Sequence, residues 1–348
     1  MKEKKINIYE IAKMANVSIA TVSRVINPEM RQKVAPDTLR KLDRLIEKYG
    51  YTPNLAAKSL NSQSTKTIGV VFPYLPGIFY SDYYNHILSA VSDSLMNTRY
   101  QFKLLLLKLE ANKWDQFDFK AGERVDGLLI THWFKIFSKK SVLEKIKIPC
   151  IVINDIDKSI KTQFIGVDHY LGGQMAANHL YANGHRRISI IAGPDWSFDS
   201  SQRVEGFKNF FRKKGVEINP AMIIKADFLE HAAYSAIEKL LKVDPHMTAI
   251  FACNDQMAFG AMRRLKEIGI SCPEETSVIG FDDEKEAQKS IPPLTTIRVP
   301  VYDLAKEATQ ILIKHLQSEH FQKPLRGVIE LPIQLIQRNS VKNINPTV

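Results

Sequence analysis

The chain has 348 residues, of which 45% are hydrophobic and 24% charged, and its formal net charge is +11. This size and apolar content allow two or three domains with their own cores, while no apolar run approaches the roughly 18 residues of a membrane span. Three scattered cysteines argue against a disulfide framework or a metal-binding knuckle and favour a reducing compartment.

The positive charge is concentrated near the N-terminus. Residues 1–66 contain 13 basic and 6 acidic side chains and so carry +7 of the net charge. A small basic segment beside a nearly neutral body favours a polyanion as its partner, although a basic surface that serves only solubility fits the charge equally well. The first residues lack the apolar block and small-residue cleavage site of a signal peptide, so we expect a cytoplasmic protein.

Three amphipathic helices are predicted within residues 1–52. Ser18 can cap the second helix through its hydroxyl, and Pro36 opens the third at a first-turn position. Two short helices joined by a tight turn and braced by a third form a helix-turn-helix. The apolar spacing places these residues on the three buried faces: Ile8, Ile11, Ala12, Ala15, Val22, Val25, Ile26, Leu39, Leu42, Leu45, Ile46 and Tyr49.

The outward face of the second helix is formed by small, hydrogen-bonding residues and one arginine. Small side chains let a helix enter the major groove deeply, and Arg24 can bind guanine O6 and N7 with two hydrogen bonds. This combination predicts that the segment binds DNA. The outward residues are Ala20, Thr21, Ser23, Arg24 and Asn27.

Eight apolar runs alternate with amphipathic helices after residue 66. Near-continuous runs of Val, Ile and Leu with helices between them are typical of parallel sheets covered on both faces. Eight strands exceed one comfortable sheet, so we expect two α/β lobes. The runs are "TIGVVF", "FKLLLLKL", "GLLIT", "CIVIND", "FIGVD", "RISIIAGP", "AIFACND" and "SVIGFDD".

Polar side chains follow most of these runs. In open α/β sheets, ligands bind beyond the carboxyl ends of the strands, and a crevice of carboxylates and amides suits a neutral ligand rich in hydroxyls, such as a sugar. For each acid the alternative is that it caps the following helix. The residues are Thr131, Asn154, Asp155, Asp168, Asp195, Asn254, Asp255, Asp282 and Asp283.

The motifs resemble those of the lactose/galactose repressor (LacI/GalR) family of bacterial transcriptional regulators. "NIYEIAKMANVSIATVSRVIN" is similar to the DNA-binding head of that family, and "TIGVVFPYLPGIFY", "CNDQMAFGAMRRLKEIGI" and "SVIGFDD" are similar to its effector domain. The implied fold is an all-α helix-turn-helix head (1–52), a hinge helix and linker (53–66) and an α/β periplasmic-binding-protein-like body (67–348). The body would consist of two doubly wound parallel-sheet lobes, at about 67–180 with 299–328 and about 181–298 with 329–348.

The resemblance implies two groups of DNA-contacting residues. In the head, Ile19, Ala20 and Arg24 would read bases, although Ile19 lies near the buried face by helical angle and a core role is the alternative. In "PNLAAKSLNSQST", a stretch too short to be a stable helix alone, Leu60 matches the wedge residue that enters the minor groove. The full implied set is Tyr9, Ser18, Ile19, Ala20, Thr21, Ser23, Arg24, Asn27, Ala57, Lys58 and Leu60.

The resemblance also implies an effector site between the lobes. Arg203 could instead form a buried ion pair, and Phe228 could belong to the core. Tyr74 stands where many relatives carry an acid, which leaves the identity of the effector open. The implied effector residues are Tyr74, Phe79, Thr131, Asp168, Arg203, Phe228, Asn254 and Asp282.

We therefore expect a nucleoid-associated homodimer that represses transcription at a pseudo-palindromic operator under the control of a small molecule, by preference a sugar. The alternatives are a regulator controlled by a co-repressor protein or a purine-type ligand, and a solute-binding protein, which would have no use for a basic head. The sequence contains no Walker A loop, no G-x-S-x-G elbow and no H-E-x-x-H motif. We expect no enzymatic activity, no cofactor, no metal and no membrane partner.

Overall fold

The structure is a computed structural model that describes residues 6–26, 30–51, 64–74, 77–107, 125–131, 146–319 and 323–346. The chain divides into two compact units, residues 1–65 and 66–348. Four of the expected DNA-contacting residues lie outside the described residues: Asn27, Ala57, Lys58 and Leu60.

The first unit contains three helices: α1 (Ile8–Ala15), α2 (Ile19–Ile26) and α3 (Pro36–Lys48). Helix α1 begins with a reciprocal capping box, in which the Glu10 amide donates to Asn7 Oδ1 at 3.0 Å and the Asn7 amide donates to Glu10 Oε2 at 2.9 Å. Helix α3 begins at Pro36, as the sequence predicts, because proline fits a first-turn position.

The three helices enclose a small apolar core. Leu42 of α3 is fully buried between the apolar residues of α1 and α2. The predicted burial of Tyr49 is wrong: the side chain is 43% exposed, because α3 ends at Lys48 and its periodicity no longer applies. Tyr51, just beyond, packs against the core instead.

The second unit contains twelve strands and six helices of eight residues or more among its described residues. The strands are β1 (Thr67–Pro73), β2 (Gln101–Leu107), β3 (Gly127–Ile130), β4 (Cys150–Asn154), β5 (Gln163–Gly166), β6 (Ile188–Ala192), β7 (Ile223–Lys225), β8 (Ala249–Ala252), β9 (Ser277–Asp282), β10 (Thr295–Arg298), β11 (Gly327–Glu330) and β12 (Gln334–Ile336). The helices are α4 (Asp82–Leu95), α5 (His169–Ala182), α6 (Phe198–Lys213), α7 (Glu230–Val243), α8 (Asp255–Glu267) and α9 (Val301–Leu316).

The strands form two six-stranded sheets, one for each lobe. The first has the order β11-β5-β4-β3-β1-β2 and is parallel throughout, while the second has the order β12-β10-β9-β8-β6-β7 and is parallel except for β12. The expected fold class, a helical head with two doubly wound α/β lobes, is therefore confirmed. No helix of the described part of the chain has the length and apolar character of a membrane span.

The chain passes between the lobes after β5, β10 and β11. Helix α5 packs on α6 and beside β10 and β12, so it belongs to the second lobe. The first crossing therefore lies before His169, earlier than the expected position near residue 180. The other two crossings lie between β10 and α9 and between β11 and β12.

Helices α5 and α6 touch through their backbones at two glycines. A Cβ atom on Gly173 would lie 2.0 Å from the Arg203 carbonyl oxygen, and one on Gly206 would lie 2.0 Å from the Tyr170 carbonyl oxygen. Because no side chain separates the two helices at this crossing, the position of α5 determines the position of α6.

Candidate nucleic-acid interface and effector cleft

Helix α2 carries the candidate DNA-reading face of the head. Ser18 lies just before the helix, and its Oγ accepts from the Thr21 amide at 3.1 Å and contacts Thr21 Oγ1 at 2.9 Å. Val22 and Val25 are fully buried against α1 and α3. The buried valines fix the rotation of α2 and so determine which side chains face outward.

The outward face of α2 has the composition expected from the sequence. Ile19 is 40% exposed, which argues against its alternative role in the core, and Ala20 and Ser23 are also exposed. Arg24 is exposed and makes no ion pair with another described residue. By contrast, Arg31 binds Asp43 at 2.6 Å. Within the described residues, Arg24 thus differs from Arg31 in having no acidic partner, which suits a side chain that binds an external acceptor.

Tyr9 is the remaining candidate DNA contact among the described residues of the head. It lies on α1 and its side chain is exposed.

The second unit contains a cleft bounded by both lobes. Its cavity volume is about 40 Å³, whereas a cavity that holds a six-membered ring such as benzene has a volume of about 150 Å³. A ring-sized ligand therefore requires the lobes or the lining side chains to move. The first lobe contributes α4 and the turn before it, and the second lobe contributes α6 and the ends of β7, β8 and β9. Residues on the cleft walls include Ser81, Tyr83, Tyr84, Asp199, Arg203, Asp227, Phe228, Asn254 and Asp282.

Arg203 lies at the centre of this cleft and is 2% exposed. Its Nη2 atom lies 3.2 Å from Asp199 Oδ2 and 3.4 Å from Asp282 Oδ1, and its Nη1 donates to the Cys253 carbonyl oxygen. Burial alone would lower the pKa of Arg203, but Asp282 and Asp199 raise it above its ordinary value. The guanidinium therefore remains charged and holds the two acids of the cleft together.

Asp282 is the second distinctive residue of the cleft. It ends β9 with a φ of 112°, in the region that favours glycine, and such backbone strain is concentrated at functional sites. Burial raises the pKa of its carboxyl to about 8, although Arg203 acts to lower it. Near neutral pH this carboxyl can hold a proton, so it can donate a hydrogen bond as well as accept one.

Asn254 shapes the cleft by holding its aromatic wall. Its Nδ2 donates to the Phe228 carbonyl oxygen at 3.0 Å, and its Oδ1 accepts from the Met257 amide at 3.0 Å, which caps α8. Phe228 has a φ of 70°, and its ring lies 6.0 Å from that of Trp196. A Cβ on Gly193 would lie 2.3 Å from the Phe228 ring, so this glycine leaves the space that the ring occupies.

Four of the expected effector residues are not among the residues that line the described cleft. Asp168 caps α5 by accepting from the Leu171 amide at 2.8 Å. In this structure it therefore has the role of a helix cap, which was the alternative to effector binding. The Thr131 hydroxyl is buried and donates to the Val71 carbonyl oxygen at 2.9 Å. Tyr74 and Phe79 are exposed.

Several cleft residues were not expected from the sequence. Tyr83 and Tyr84 lie in the first turn of α4 with their rings 5.0 Å apart, and burial raises the pKa of both hydroxyls well above the ordinary value. Asp199 lies four residues before Arg203 on α6, a spacing that brings an acid and a base together on one helix face. This spacing of four residues is the sequence pattern from which Asp199 could have been predicted.

A buried cluster of possible metal ligands adjoins the cleft. Asp155, His169 and Asp199 each place one oxygen or nitrogen atom within 4.8 Å of the others. However, His169 Nδ1 lies 3.3 Å from Arg203 Nε, which donates to it. The guanidinium already supplies the positive charge that a cation would bring, so the arrangement favours an arginine-centred network.

Comparisons with known proteins agree with this geometry. The lacI family of bacterial regulatory proteins matches residues 7–54, and a periplasmic binding protein-like domain matches residues 177–341. Catabolite control protein A of Priestia megaterium is 28% identical over 341 residues, which cover 97% of this chain and 99% of the relative. The HTH-type transcriptional repressor PurR of Haemophilus influenzae is 32% identical over 338 residues, with the same coverage of 97% and 99%.

Solved structures show the same architecture. A lac repressor bound to ONPG in the repressed state is 25% identical, with a TM-score of 0.79 and coverage of 97% of this chain and 100% of the other. A complex of the transcriptional regulator CelR with cellobiose is 27% identical, with a TM-score of 0.69 and coverage of 96% and 99%. The chain therefore belongs to the lacI family of bacterial regulatory proteins and is a DNA-binding transcriptional regulator.

Proposed function

We propose that this regulator is a nucleoid-associated repressor that binds a pseudo-palindromic operator as a homodimer, under the control of a small neutral ligand in the cleft. The exposed face of α2, on which Arg24 makes no ion pair with another described residue, carries the DNA-binding part of the proposal. One head presents one recognition helix, and helix-turn-helix proteins read two half-sites by pairing two such heads.

The ligand is proposed to be a sugar. The only cation on the cleft wall, within the described residues, is Arg203, and its guanidinium already lies 3.2 Å from Asp199 Oδ2 and 3.4 Å from Asp282 Oδ1. A neutral ligand therefore fits better than an anion. Asp227 and Asp282 supply acceptors for hydroxyl donors, and the similar CelR binds cellobiose in its solved complex.

A purine-type ligand is the second candidate. The rings of Tyr83, Tyr84 and Phe228 line the same cavity, and aromatic walls suit a flat ring system as well as a sugar. A panel of ligands must therefore contain nucleobases and nucleosides beside sugars.

The DNA-binding assignment is tested with Arg24→Ala and the control Arg40→Ala. Arg40 is an exposed arginine of α3 that pairs with Asp37 at 2.5 Å, so its loss removes the same charge from another face of the head. The probe is a duplex selected from a randomised library by the wild-type protein, and binding is followed by fluorescence anisotropy at two salt concentrations.

We expect Arg24→Ala to weaken binding by about 1–3 kcal/mol, roughly 5- to 150-fold, and to relax the preference for one base pair. Arg40→Ala should leave the base preference unchanged and affect at most the salt dependence. Unchanged affinity and base preference in Arg24→Ala would overturn the recognition-helix assignment.

The effector assignment is tested by thermal shift, since a ligand that binds only the native protein raises its melting temperature. We expect a member of the panel to stabilise the wild type, and Asp282→Asn to remove that stabilisation. Asp168→Asn is the matched control, because Asp168 caps a helix outside the cleft lining. If Asp168→Asn removes the stabilisation and Asp282→Asn does not, the effector site is misplaced.

The hinge residues Ala57, Lys58 and Leu60 remain a proposal based on the family resemblance. Leu60 would enter the minor groove as an apolar wedge, Ala57 would allow close approach and Lys58 would contact phosphate. Leu60→Ala should weaken operator binding while the ligand-induced thermal shift stays unchanged. A variant with full operator affinity would refute the wedge role.

A further inference from the structure

A buried carboxylate, Glu284, connects the two lobes directly. It follows β9 of the second lobe and is 5% exposed. Its Oε1 accepts from the Ser81 hydroxyl at 2.8 Å, and Ser81 lies in the first lobe, where it caps α4. Its Oε2 accepts from Gln256 Nε2 at 2.5 Å, within the second lobe. One carboxylate thus joins the two lobes at a point outside the three covalent crossings.

The second lobe holds Glu284 in a fixed position. Its backbone amide donates to Asp255 Oδ2 at 2.8 Å, and the other oxygen of Asp255 accepts from the Thr296 hydroxyl at 2.6 Å. Burial raises the pKa of Glu284, while the hydrogen bonds from Gln256 and Ser81 lower it. Burial outweighs these donors, so the pKa of Glu284 stays above its ordinary value. The position of the carboxyl group is fixed by donors from both lobes, Gln256 and Ser81.

The residues that follow Ser81 and Glu284 in the sequence form a second hydrogen bond between the lobes. The Lys285 amide donates to Asp82 Oδ2 at 3.2 Å, so two consecutive residues of one lobe bind two consecutive residues of the other. Ser81 also accepts from the Tyr83 amide at 3.2 Å and lines the cleft. The same hydroxyl therefore joins the lobes, caps α4 and faces the cavity.

We propose that the contacts of Ser81 with Glu284 and of Asp82 with Lys285 form a latch that holds the lobes closed and must open before a ring-sized ligand can enter. In the structure, where both contacts are formed, the cavity volume is about 40 Å³, compared with about 150 Å³ for a cavity that holds benzene. The role in ligand entry rests on the proposed function, whereas the latch itself can be tested without any ligand.

Trp196 provides the readout of lobe separation. It belongs to the second lobe but packs against the core of the first lobe, where Val71, Ile130 and Phe164 are buried. In full-length protein carrying Trp114→Phe and Trp133→Phe, Trp196 is the single tryptophan, because the chain has three. Acrylamide quenching of its fluorescence reports how far the lobes open.

The decisive variant is Ser81→Asp. Aspartate is as good an N-cap as serine, so α4 keeps its cap, but two carboxylates now face each other where a hydrogen bond stood. Adding Glu284→Gln to Ser81→Asp replaces the repulsion with an amide that can donate to the new carboxylate. Ser89→Asp places the same charge at an exposed position of α4 and serves as the control.

We expect Ser81→Asp to raise the quenching constant of Trp196, the double variant to return it towards the wild-type value, and Ser89→Asp to leave it unchanged. Equal quenching in the wild type and Ser81→Asp would overturn the latch. With cellobiose as the probe, Ser81→Asp should also raise the association rate. If no sugar binds to any variant, the proposal of a sugar effector fails. The latch is then tested by the quenching constants alone.

Discussion

Arg203→Met removes the charge at the centre of the cleft and keeps an apolar stem of similar length. The wild-type guanidinium lies 3.2 Å from Asp199 and 3.4 Å from Asp282, and it also donates to the buried Cys253 carbonyl. Removing one partner of a buried ion pair costs about 3–5 kcal/mol, because the other partner stays buried without compensation. Asp282 already holds a proton near neutral pH, with a pKa of about 8, so Asp199 carries most of the penalty.

We therefore expect a loss of about 3–5 kcal/mol in the free energy of unfolding of the second unit, a large part of the 5–15 kcal/mol typical of a domain. Urea unfolding followed by tryptophan fluorescence measures it selectively, because Trp114, Trp133 and Trp196 all lie in residues 66–348 and the head contains no tryptophan.

Two further variants sharpen the test. Arg212→Met removes an exposed arginine of the same helix and should change stability by no more than about 0.5 kcal/mol. Asp199→Asn, added to Arg203→Met, should recover part of the loss because it removes the uncompensated charge. A loss below about 1 kcal/mol in Arg203→Met would refute the reasoning, since it would mean that the buried acids do not depend on the guanidinium.

Three other outcomes follow from the contacts described above. Gly206→Ala places a Cβ 2.0 Å from the Tyr170 carbonyl oxygen and should cost about 1–3 kcal/mol or more in urea unfolding. The raised pKa of Asp282 means that the folded protein holds a proton that the unfolded chain releases above its ordinary pKa near 4. Unfolding free energy should therefore fall as pH rises from about 4 to about 8, by up to about 1.4 kcal/mol per pH unit, and Asp282→Asn should flatten that slope in a urea series. Leu42→Ala should destabilise the head by about 2–5 kcal/mol, seen by far-UV circular dichroism, while the tryptophan-monitored transition stays unchanged. A shared shift of both transitions would contradict the division into two units.

The fold was predictable because long buried strands have a strong sequence signature. All eight apolar runs form strands, since a strand covered on both faces needs apolar residues throughout. Strands β7, β10, β11 and β12 were missed because each combines few apolar residues with polar or charged ones, as in "IIK", "TTIR", "GVIE" and "QLI", and most residues of β11 are exposed. Tyr49 shows the converse error, because the apolar spacing was extended to a residue that lies just beyond the last helical residue, Lys48.

The candidate site was less predictable, because the same local pattern serves different roles. Asp168 and Asn254 both follow a strand and both accept from the amide three residues later, yet only Asn254 lines the cleft. The difference lies in how each helix packs in three dimensions. Glu284 gave no signal, since it contacts Ser81 of the other lobe, far away in the sequence. Tyr83 gave none either, because the partner of its buried hydroxyl is the Thr131 carbonyl oxygen, on another element of the same lobe.

The contact of α5 with α6 limits how the cleft can change during evolution. The backbones of α5 and α6 are in contact at Gly173 and Gly206. Helix α6 therefore cannot shift towards α5 to enlarge the cleft for a larger ligand. Variation in ligand size must then come from the opposite wall, where the Tyr83 and Tyr84 rings can be trimmed without moving a helix. Selection for a new effector should therefore enrich substitutions at these two tyrosines and leave the two glycines in place.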